Sequence, residues 1–275
     1  MMAETTDSAE ADPDIGTRSR DKTPDEAPEG DAPRPTLRRL VVIPALDESA
    51  TIARVVGDIR AAAPDFDILV IDDGSKDGTA EVARAAGARV VSHPFNMGYG
   101  VALQTGYKSA ARGGYDVLVQ LDGDGQHDPA FIDKLCAPIE RGEVDVTVGS
   151  RFLHGDGYIP PFLRRVGMVL FGKIATTLTR VTVTDPTSGY QALSARAFRY
   201  FTEDHFPFDY PDADVLILLH RARFRFVEVP VAMRPNDAGR SMHSGLAPIY
   251  YVFKMFLSIT MTLLREAPPG GAHAD

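Results

Sequence analysis

The chain has 275 residues, 44% of them hydrophobic, which is enough to build one large α/β domain or two small ones. Its net charge of −9 is uneven: residues 1–36 hold ten acidic and four basic side chains, and the remainder carries only −3, which argues against a nucleic-acid-binding protein. Cys136 is the only cysteine, which excludes an intramolecular disulfide and a cysteine-based zinc cluster.

The two ends of the chain differ in composition from the middle. Residues 1–36 are rich in Asp, Glu, Pro, Ala and Thr and lack an apolar segment, so we expect a disordered tail and no signal peptide. Residues 266–275 are expected to form a second unstructured tail. One folded domain should then span residues 37–265. No uncharged apolar run of about 18 residues occurs, so no ordinary transmembrane helix is predicted.

Residues 37–151 alternate between predicted strands and helices with short connections. This alternation indicates parallel βαβ units, and therefore an α/β fold with a mostly parallel central sheet flanked by helices. Pro44 is expected to end the first strand, because proline cannot donate a hydrogen bond within a central strand. The predicted strands are Arg39–Pro44, Phe66–Ile71, Ala88–Ser92, Tyr115–Leu121 and Asp145–Gly149, and the helices are Ala50–Ala63, a segment ending near Gly87, Gly98–Arg112 and Pro129–Arg141.

The pattern changes in residues 152–265, where amphipathic helices dominate. The last helix carries one narrow polar stripe at spacings of three and four residues, and nearly all its other side chains are apolar. So wide an apolar arc needs a partner, either the protein's own core or a membrane interface or membrane-embedded subunit. The predicted helices are Pro161–Leu178, Ala195–Phe201, Asp212–Arg221 and Leu246–Leu264, with a strand at Phe224–Val229; the stripe comprises Tyr251, Lys254, Ser258, Thr262 and Arg265.

Two aspartates, Asp122 and Asp124, follow the strand Tyr115–Leu121 and are set among glycines. Carboxylates two residues apart can aim at one point if the backbone turns, and glycine makes that turn cheap. Mg²⁺ and Mn²⁺ prefer such oxygen ligands, and ligands of open α/β sheets lie beyond the carboxyl ends of strands. These residues predict a metal–diphosphate site, with an acidic solvated loop as the alternative. A calcium loop fits badly, because His127 stands where glycine is expected.

Two other loops follow predicted strands and carry polar groups. Asp72 and Asp73 end the second strand, where a carboxylate can accept a hydrogen bond from a nucleotide base or ribose. The alternative for this segment, above all for Asp77, is an Asx turn that caps the next helix. The loop containing Asn96 and Gly98 precedes a helix and suits the close approach of a phosphate or sugar.

Taken together in order, these segments match a family. The chain resembles the family 2 glycosyltransferases, and among them the polyprenyl- or dolichyl-phosphate mannosyl- and glucosyltransferases, over about residues 38–265. The matching segments are Pro44-Ala45-Leu46-Asp47-Glu48, Asp72-Asp73-Gly74-Ser75 with Asp77-Gly78-Thr79, Asn96-x-Gly98 with Gly106, Asp122-x-Asp124-x-Gln126, Gly149-Ser150-Arg151, Asp185-x-x-Ser188-Gly189-Tyr190 and Arg234-x(4)-Gly239-Arg240-Ser241.

The resemblance implies a GT-A fold with C-terminal amphipathic helices, a nucleotide-sugar-binding half at 37–151 and an acceptor- or membrane-facing half at 152–265. Asp185 would orient the acceptor or the sugar, unless it only forms the turn before Pro186. The resemblance implies that the nucleotide-sugar donor is bound by Pro44, Ala45, Asp47, Glu48, Asp72, Asp73, Asn96, Gly98 and Arg234, and that Mg²⁺ or Mn²⁺ is bound by Asp122, Asp124 and Gln126. The implied catalytic residues are Asp122, Asp124, Arg151 and Asp185, with Arg151 and Arg234 facing phosphates. The implied acceptor-side residues are Ser188, Gly189, Arg240 and Ser241.

Two positions depart from the family pattern. Asp47 stands where asparagine is usual, which could alter contacts with the nucleoside. Met242-His243 follows Ser241 where many relatives have lysine, which removes one candidate phosphate ligand.

The implied activity is an inverting, metal-dependent transfer of a sugar from a nucleotide sugar, such as GDP-mannose or UDP-glucose, to a polyprenyl or dolichyl phosphate. The enzyme would be cytoplasmic and peripheral on the inner face of the membrane. Alternatives are a family 2 enzyme with a hydroxyl acceptor and an inactive membrane-associated scaffold. A nucleotidylyltransferase is disfavoured because no glycine-rich stretch follows the first strand, and a processive polysaccharide synthase because the chain has no tryptophan.

Overall fold

The computed structural model describes residues 37–153, 162–204, 206–207, 213–234 and 247–264. Every strand and helix predicted above is present within these residues. The strands are β1 Arg39–Ala45, β2 Phe66–Asp72, β3 Arg89–Ser92, β4 Val117–Gln120, β5 Val146–Ser150, β6 Gln191–Ser194 and β7 Phe226–Pro230; the helices are α1 Ile52–Ala62, α2 Thr79–Ala85, α3 Tyr99–Gly113, α4 Ile132–Glu140 after a 3₁₀ turn at Pro129–Phe131, α5 Phe162–Thr179, α6 Ala195–Tyr200, α7 Ala213–Arg221 and α8 Ala247–Leu264.

The strands form one seven-stranded sheet in the order β3-β2-β1-β4-β6-β5-β7. Neighbouring strands are parallel except at β6, which pairs antiparallel with both β4 and β5. The sheet is therefore mixed, and β6 was not predicted from the sequence. Its four residues contain no β-branched side chain and run directly into α6, so local sequence gives no strand signal there.

β1 continues one residue past Pro44, so the prediction that this proline ends the strand was wrong. The N–H of Leu121 donates to the carbonyl oxygen of Val42, which shows that residue 42 directs its polar groups toward β4. Pro44 faces the same side because it lies two residues further along. The pairing of β1 with β4 ends at Val42 and Gln120, before Pro44 is reached. A backbone N–H at residue 44 is therefore not required for strand pairing.

Alternate residues of the central strands pack on opposite faces of the sheet. Leu40 and Val42 lie in a core shared with α3, α6 and α7, whereas Val41 and Ile43 lie in a core shared with α1, α2 and α4. Because both faces are covered, β1, β2 and β4 are almost continuously apolar. Their carboxyl ends meet at one edge of the sheet, where the predicted site residues lie.

Helices α5, α7 and α8 pack together around a small third core, which comprises Phe171, Ala213, Ile217, Met255 and Ile259. Ser258, from the predicted polar stripe of α8, donates to the buried carboxylate of Asp214 on α7. The stripe is thus turned partly inward. Several apolar side chains of α8 remain exposed, namely Phe256, Leu257, Met261, Leu263 and Leu264.

Within the described residues, no helix combines the length and apolarity needed to cross a bilayer. The predicted tails at residues 1–36 and 266–275 lie outside the described residues. So do two of the acceptor-side residues implied by the resemblance, Arg240 and Ser241.

Candidate active site

The acidic loop, defined here as residues 121–128, leaves the carboxyl end of β4 and closes on itself. The N–H of Gln126 donates to Asp124 Oδ1 at 2.8 Å. Gly125 adopts a φ of 78°, which strains residues that carry a side chain. Thr51, at the start of α1, donates from Oγ1 to the carbonyl oxygen of Gly123 at 2.8 Å. The loop is therefore tied both to itself and to α1.

Gly123 brings the acidic loop against the segment that follows β1. A Cβ atom at Gly123 would lie 3.5 Å from Ala45 Cβ, from Glu48 Cγ and from the carbonyl oxygen of Pro44. The structure thus makes three residues assigned to the nucleoside pocket direct neighbours of the loop assigned to the metal.

Asp122 is contacted both from α3 and from within its own loop. Tyr99, the first residue of α3, donates from its hydroxyl to Asp122 Oδ1 at 2.9 Å. The N–H of Asp122 donates to His127 Nδ1 at 3.0 Å, and His127 Nε2 lies 3.8 Å from Asp122 Oδ2. His127 is buried, and its ring stacks on Tyr190 with 4.9 Å between centroids.

Two carboxylates in this region, Asp124 and Glu48, have a raised pKa. Burial raises the pKa of Asp124, and the charge of Asp122 raises it further, although the N–H of Gln126 opposes both effects. Burial also raises the pKa of Glu48, and Asp124 and Asp122 add to the shift. The ionised carboxylates therefore repel one another at the carboxyl edge of β4, and a bound cation would relieve that repulsion.

The residues present fit a divalent cation that shares its ligands with a substrate. Among the described residues, no group of three or more His, Cys, Asp or Glu side chains is arranged to hold a metal ion by itself. Mg²⁺ is usually bound through one or two protein carboxylates together with substrate phosphates and water. Asp122 and Asp124 match that requirement, with Gln126 as the neighbouring amide.

Asp73 holds the loop after β3 against the end of β2. It is buried and accepts hydrogen bonds from the N–H groups of Met97 and Gly98, both at 2.9 Å, and from His93 Nδ1 at 2.7 Å. Asn96 Oδ1 also accepts from the N–H of Gly98, at 3.0 Å. Asp73 and Asn96 thus shape the loop expected to lie near the donor, and their direct contact with a nucleoside stays a prediction.

The loops after β1 and β2 are fastened to each other. Asp47 has a positive φ of 56° and accepts from the N–H of Lys76 at 2.8 Å. Asp72 accepts from the N–H of Ser75 at 3.1 Å, and Asp77 accepts from the N–H of Thr79 at 3.1 Å. The contact of Asp77 with Thr79 is the Asx turn expected as the alternative for this segment, although Gly78, the residue before α2, makes no side-chain cap. These contacts are compatible with nucleotide binding, which stays a prediction.

Arg151 and Asp185 lie against each other in the interior. Arg151 Nε donates to Asp185 Oδ2 and Arg151 Nη2 to Oδ1, both at 2.6 Å, and the N–H of Arg151 donates to Oδ2 at 3.2 Å. Asp185 has no exposed surface and Arg151 is 8% exposed. The sequence assigned one to a phosphate and the other to the acceptor or sugar, and it gave no indication that they pair.

Gly189 and Ser188 connect this pair to the acidic loop. A Cβ atom at Gly189 would lie 2.9 Å from the hydroxyl oxygen of Tyr99 and 3.3 Å from Asp122 Oδ2. Ser188 is buried, and its Oγ accepts from the N–H of Tyr190. Of the two acceptor-side residues that the structure describes, Gly189 therefore lies beside Asp122, and Ser188 directly precedes it in the chain.

Arg234 is held at the acidic loop by two carboxylates. Its Nη1 donates to Asp58 on α1 at 2.5 Å and its Nη2 to Asp128 at 3.0 Å. Its N–H donates to the carbonyl oxygen of Gln126 at 2.8 Å. The guanidinium thus lies against the acidic loop with about 37% of its side chain exposed, and its contact with a phosphate stays a prediction.

A half-buried carboxylate, Glu228 on β7, supports the segment that carries Asp185. Glu228 Oε1 accepts from the N–H groups of Thr184 and Asp185 at 2.8 and 2.7 Å, and Oε2 accepts from Thr184 Oγ1 at 2.6 Å. Burial raises the pKa of Glu228 above its ordinary 4.5, and these hydrogen bonds oppose that shift only in part.

Replacing Glu228 with glutamine should make the variant progressively more stable, relative to the wild type, as the pH rises. An acid whose pKa is raised by folding contributes stability below its ordinary pKa, and that contribution is lost as the pH rises through the raised value. Glutamine does not titrate. Thermal melts from about pH 4 to about pH 8 should therefore show a growing difference in Tm. Glu143→Gln should lack this rise, since the hydrogen bond from Arg141 lowers the pKa of Glu143. A constant difference for Glu228→Gln would contradict the assignment.

Two residues of the site, His127 and Tyr99, were not identified from the sequence. His127 directly follows Gln126 in the acidic loop, so proximity to the metal motif was an available signal. Tyr99 directly follows Gly98, but its contact spans 23 residues of chain and depends on the fold.

Comparison with known proteins places this chain in a family. The model of glycosyl transferase family 2 matches residues 40–201, more than half of the chain. The polyprenol monophosphomannose synthase of Mycolicibacterium smegmatis is 34% identical over 229 residues, which cover 77% of this chain and 83% of that protein. The undecaprenyl-phosphate mannosyltransferase of Micrococcus luteus is 31% identical over 217 residues, which cover 76% of this chain and 88% of that protein.

A solved structure agrees on the fold. Glucosyl-3-phosphoglycerate synthase of Mycobacterium tuberculosis, in complex with Mn²⁺, UDP and glucosyl-3-phosphoglycerate, superposes with a TM-score of 0.59 at 25% identity, covering 83% of this chain and 79% of that one. The expected GT-A fold and the expected glycosyltransferase are therefore confirmed. The sequence match and the shared fold lead to one conclusion: this chain belongs to glycosyl transferase family 2.

Proposed function

We propose that the protein transfers a hexose, with inversion, from a nucleotide sugar to a polyprenyl phosphate. The observation that carries the proposal is the pair Asp122 and Asp124 at the carboxyl edge of β4, directly beside the segment Pro44–Glu48. Support for the lipid acceptor comes from the two relatives named above, whose names specify transfer of mannose to polyprenol or undecaprenyl phosphate.

In this proposal, Asp122, Asp124 and Gln126 hold Mg²⁺ or Mn²⁺ together with the donor diphosphate. A divalent cation stabilises the negative charge that develops on a diphosphate leaving group. Arg234 lies at the same loop and, once released from Asp58 and Asp128, could bind phosphate oxygens with its planar fork. A lipid phosphate is already an anionic nucleophile, so the reaction needs no strong protein base to remove a proton from the acceptor.

A panel of donors and acceptors tests the proposal. GDP-mannose, UDP-glucose and UDP-N-acetylglucosamine would each be incubated with undecaprenyl phosphate, dolichyl phosphate or 3-phosphoglycerate, with Mn²⁺ and with EDTA. We expect transfer to a polyprenyl phosphate that EDTA abolishes and added Mn²⁺ or Mg²⁺ restores. Transfer to 3-phosphoglycerate alone would favour a hydroxyl acceptor. Failure to transfer or hydrolyse any donor would favour an inactive scaffold.

We further propose that the exposed apolar surface of α5 and α8 rests on the lipid bilayer. A polyprenyl tail stays in the membrane, so the domain must approach it. Leu257, Met261 and Leu264 are 52%, 50% and 76% exposed, and their spacing of four and three places them on one face of α8. On α5, Val169 is 50% exposed and lies one turn from the exposed Lys173, an arrangement typical of interfacial helices.

Replacing Leu257, Met261 and Leu264 with glutamine should weaken binding to anionic liposomes at least about tenfold, because three side chains lose apolar burial. Flotation measures the binding, and nucleotide affinity should be unchanged. A matched triple variant replaces Leu37, Val91 and Val227, which are exposed elsewhere, and should float like the wild type. Equal flotation of both variants and the wild type would contradict the interfacial role. Phe256, which packs on Phe171, and Phe253, whose side chain lies outside the described part, are left intact.

A further inference from the structure

The carboxylate of Asp122 accepts a hydrogen bond from outside the acidic loop, whereas the hydrogen bond to Asp124 comes from within it. Asp124 accepts from the N–H of Gln126, which belongs to the same loop. Asp122 Oδ1 instead accepts from the hydroxyl of Tyr99 on α3, 23 residues earlier in the chain. Its own N–H donates to the ring of His127. The position of the Asp122 side chain therefore depends on side chains that were assigned no role in the reaction.

The ring of His127 is packed against one neighbouring ring, and two more contacts hold the segment around it. It stacks on the ring of Tyr190 at an interplanar angle of 22°, and Tyr190 donates from its hydroxyl to the carbonyl oxygen of Asp128 at 2.9 Å. The backbone at His127 forms a bridge with Met233. Because Nδ1 accepts the N–H of Asp122, the neutral ring carries its proton on Nε2, the nitrogen that lies 3.8 Å from Asp122 Oδ2. That contact is too long for a hydrogen bond, but its dipole favours the observed orientation of the carboxylate.

Tyr99 links the metal carboxylate to the loop expected to meet the nucleoside. Tyr99 follows Gly98, whose N–H donates to Asp73 Oδ2 at 2.9 Å. Asp73 and Asp122 are thereby fixed to two consecutive residues at the start of α3. The absence of a side chain at Gly189 preserves this arrangement, because a Cβ atom there would lie 2.9 Å from the Tyr99 hydroxyl oxygen. Even an alanine would push the hydroxyl away from Asp122.

We propose that Tyr99 and His127 are positioning residues, which hold the Asp122 carboxylate in the orientation that receives a metal–diphosphate complex. The inference rests on the proposed function, since Asp122 is a metal ligand only there. Groups that hydrogen-bond to metal-binding carboxylates typically change metal affinity or activity by about 10- to 100-fold when removed. The role acts through Asp122, and neither residue is required to touch the donor.

Calorimetry on the full chain tests this role by measuring the affinity for UDP and for GDP. Each affinity is measured with and without Mn²⁺. The ratio of the two affinities isolates the metal-dependent part of binding. Tyr99→Phe, His127→Phe and Gly189→Ala should each reduce this ratio by about 10- to 100-fold and leave the metal-free affinity unchanged. His127→Asn retains an acceptor near the Nδ1 position and should restore part of the loss. The matched control is Tyr115→Phe, which removes a phenol–carboxylate bond to Asp67, away from the site.

Each outcome is decisive. A wild-type ratio in Tyr99→Phe and in a folded His127 variant would overturn the inference, and so would an equal loss of affinity with and without metal, which would mean general damage. Should His127→Phe fail to fold, Tyr99→Phe and His127→Asn carry the test. If Mn²⁺ does not strengthen the binding of either nucleotide to the wild type, the proposed metal site itself fails. That result is distinguishable from a failure of the positioning role alone.

Discussion

Replacing Asp124 with alanine is expected to reduce sugar transfer at least about 100-fold, because a metal ion supplies several kcal/mol of charge stabilisation to a departing diphosphate. The same substitution should not reduce the stability of the folded protein. Burial and the neighbouring Asp122 raise the pKa of Asp124, so the ionised side chain is unfavourable in the folded protein. We therefore expect the Tm of the variant to equal or exceed that of the wild type, as happens when a residue serves activity at the expense of stability.

Initial rates at saturating Mn²⁺ and a thermal melt measure the two expectations on one sample. Asp133→Ala is the matched control, since Asp133 is an exposed acid in α4, a few residues beyond the acidic loop. It should leave the rate unchanged. Wild-type turnover by Asp124→Ala at saturating Mn²⁺ would refute its assignment as a metal ligand. A large fall in Tm would instead indicate that Asp124 holds the loop together.

The second large effect concerns the buried pair of Arg151 and Asp185. Replacing Asp185 with alanine leaves the guanidinium buried without its bidentate partner, which typically costs about 3–5 kcal/mol. Asp185 itself has no exposed surface, so water cannot replace its oxygen atoms without rearrangement. Urea denaturation at neutral pH measures the loss. If the free energy of unfolding falls by less than about 1 kcal/mol, the pair contributes no more than a solvent-exposed ion pair does, which would contradict its description as a buried pair.

A double variant separates the structural role of this pair from its chemical role. Apolar residues of similar volume, as in Arg151→Met with Asp185→Leu, often restore or exceed the stability of a buried ion pair. We expect the double variant to be more stable than Asp185→Ala, yet inactive if Arg151 meets a phosphate during the reaction. A stable and fully active double variant would show that the pair only supports the fold.

The fold was largely predictable because most of its elements carry local signals. Apolar runs bounded by turns located β1 to β5, and these agree with the structure to within two residues. β6 was not predicted, because its residues carry no local strand signal. Gln191–Ser194 becomes a strand through pairing with β4 and β5, which lie far away in sequence. Pairing of this kind is a property of the tertiary structure and leaves no periodic pattern in four residues.

The candidate site was predictable in its components but not in its internal contacts. The acidic loop and the end of β2 were identified by residue type and by their place after strands. The partner of Arg151 was not, because Asp185 lies 34 residues further along the chain. Arg234 likewise appeared as a phosphate ligand, whereas its pairing with Asp58 crosses 176 residues. The spacing of residues in a sequence identifies motifs, but it does not show contacts between distant residues, because these depend on the fold.

The position of β6 also has a consequence for the order in which a newly synthesised chain folds. β3, β2, β1 and β4 form one group, β5 and β7 pair with each other, and β6 joins the two groups. About 70 residues separate β4 from β6, so at about 5–20 residues per second the edge of β4 waits several seconds for its partner. An unpaired strand edge invites pairing with other chains. The strand that places Gly189 beside Asp122 is therefore also the one whose arrival ends the period in which the edge of β4 can pair with other chains.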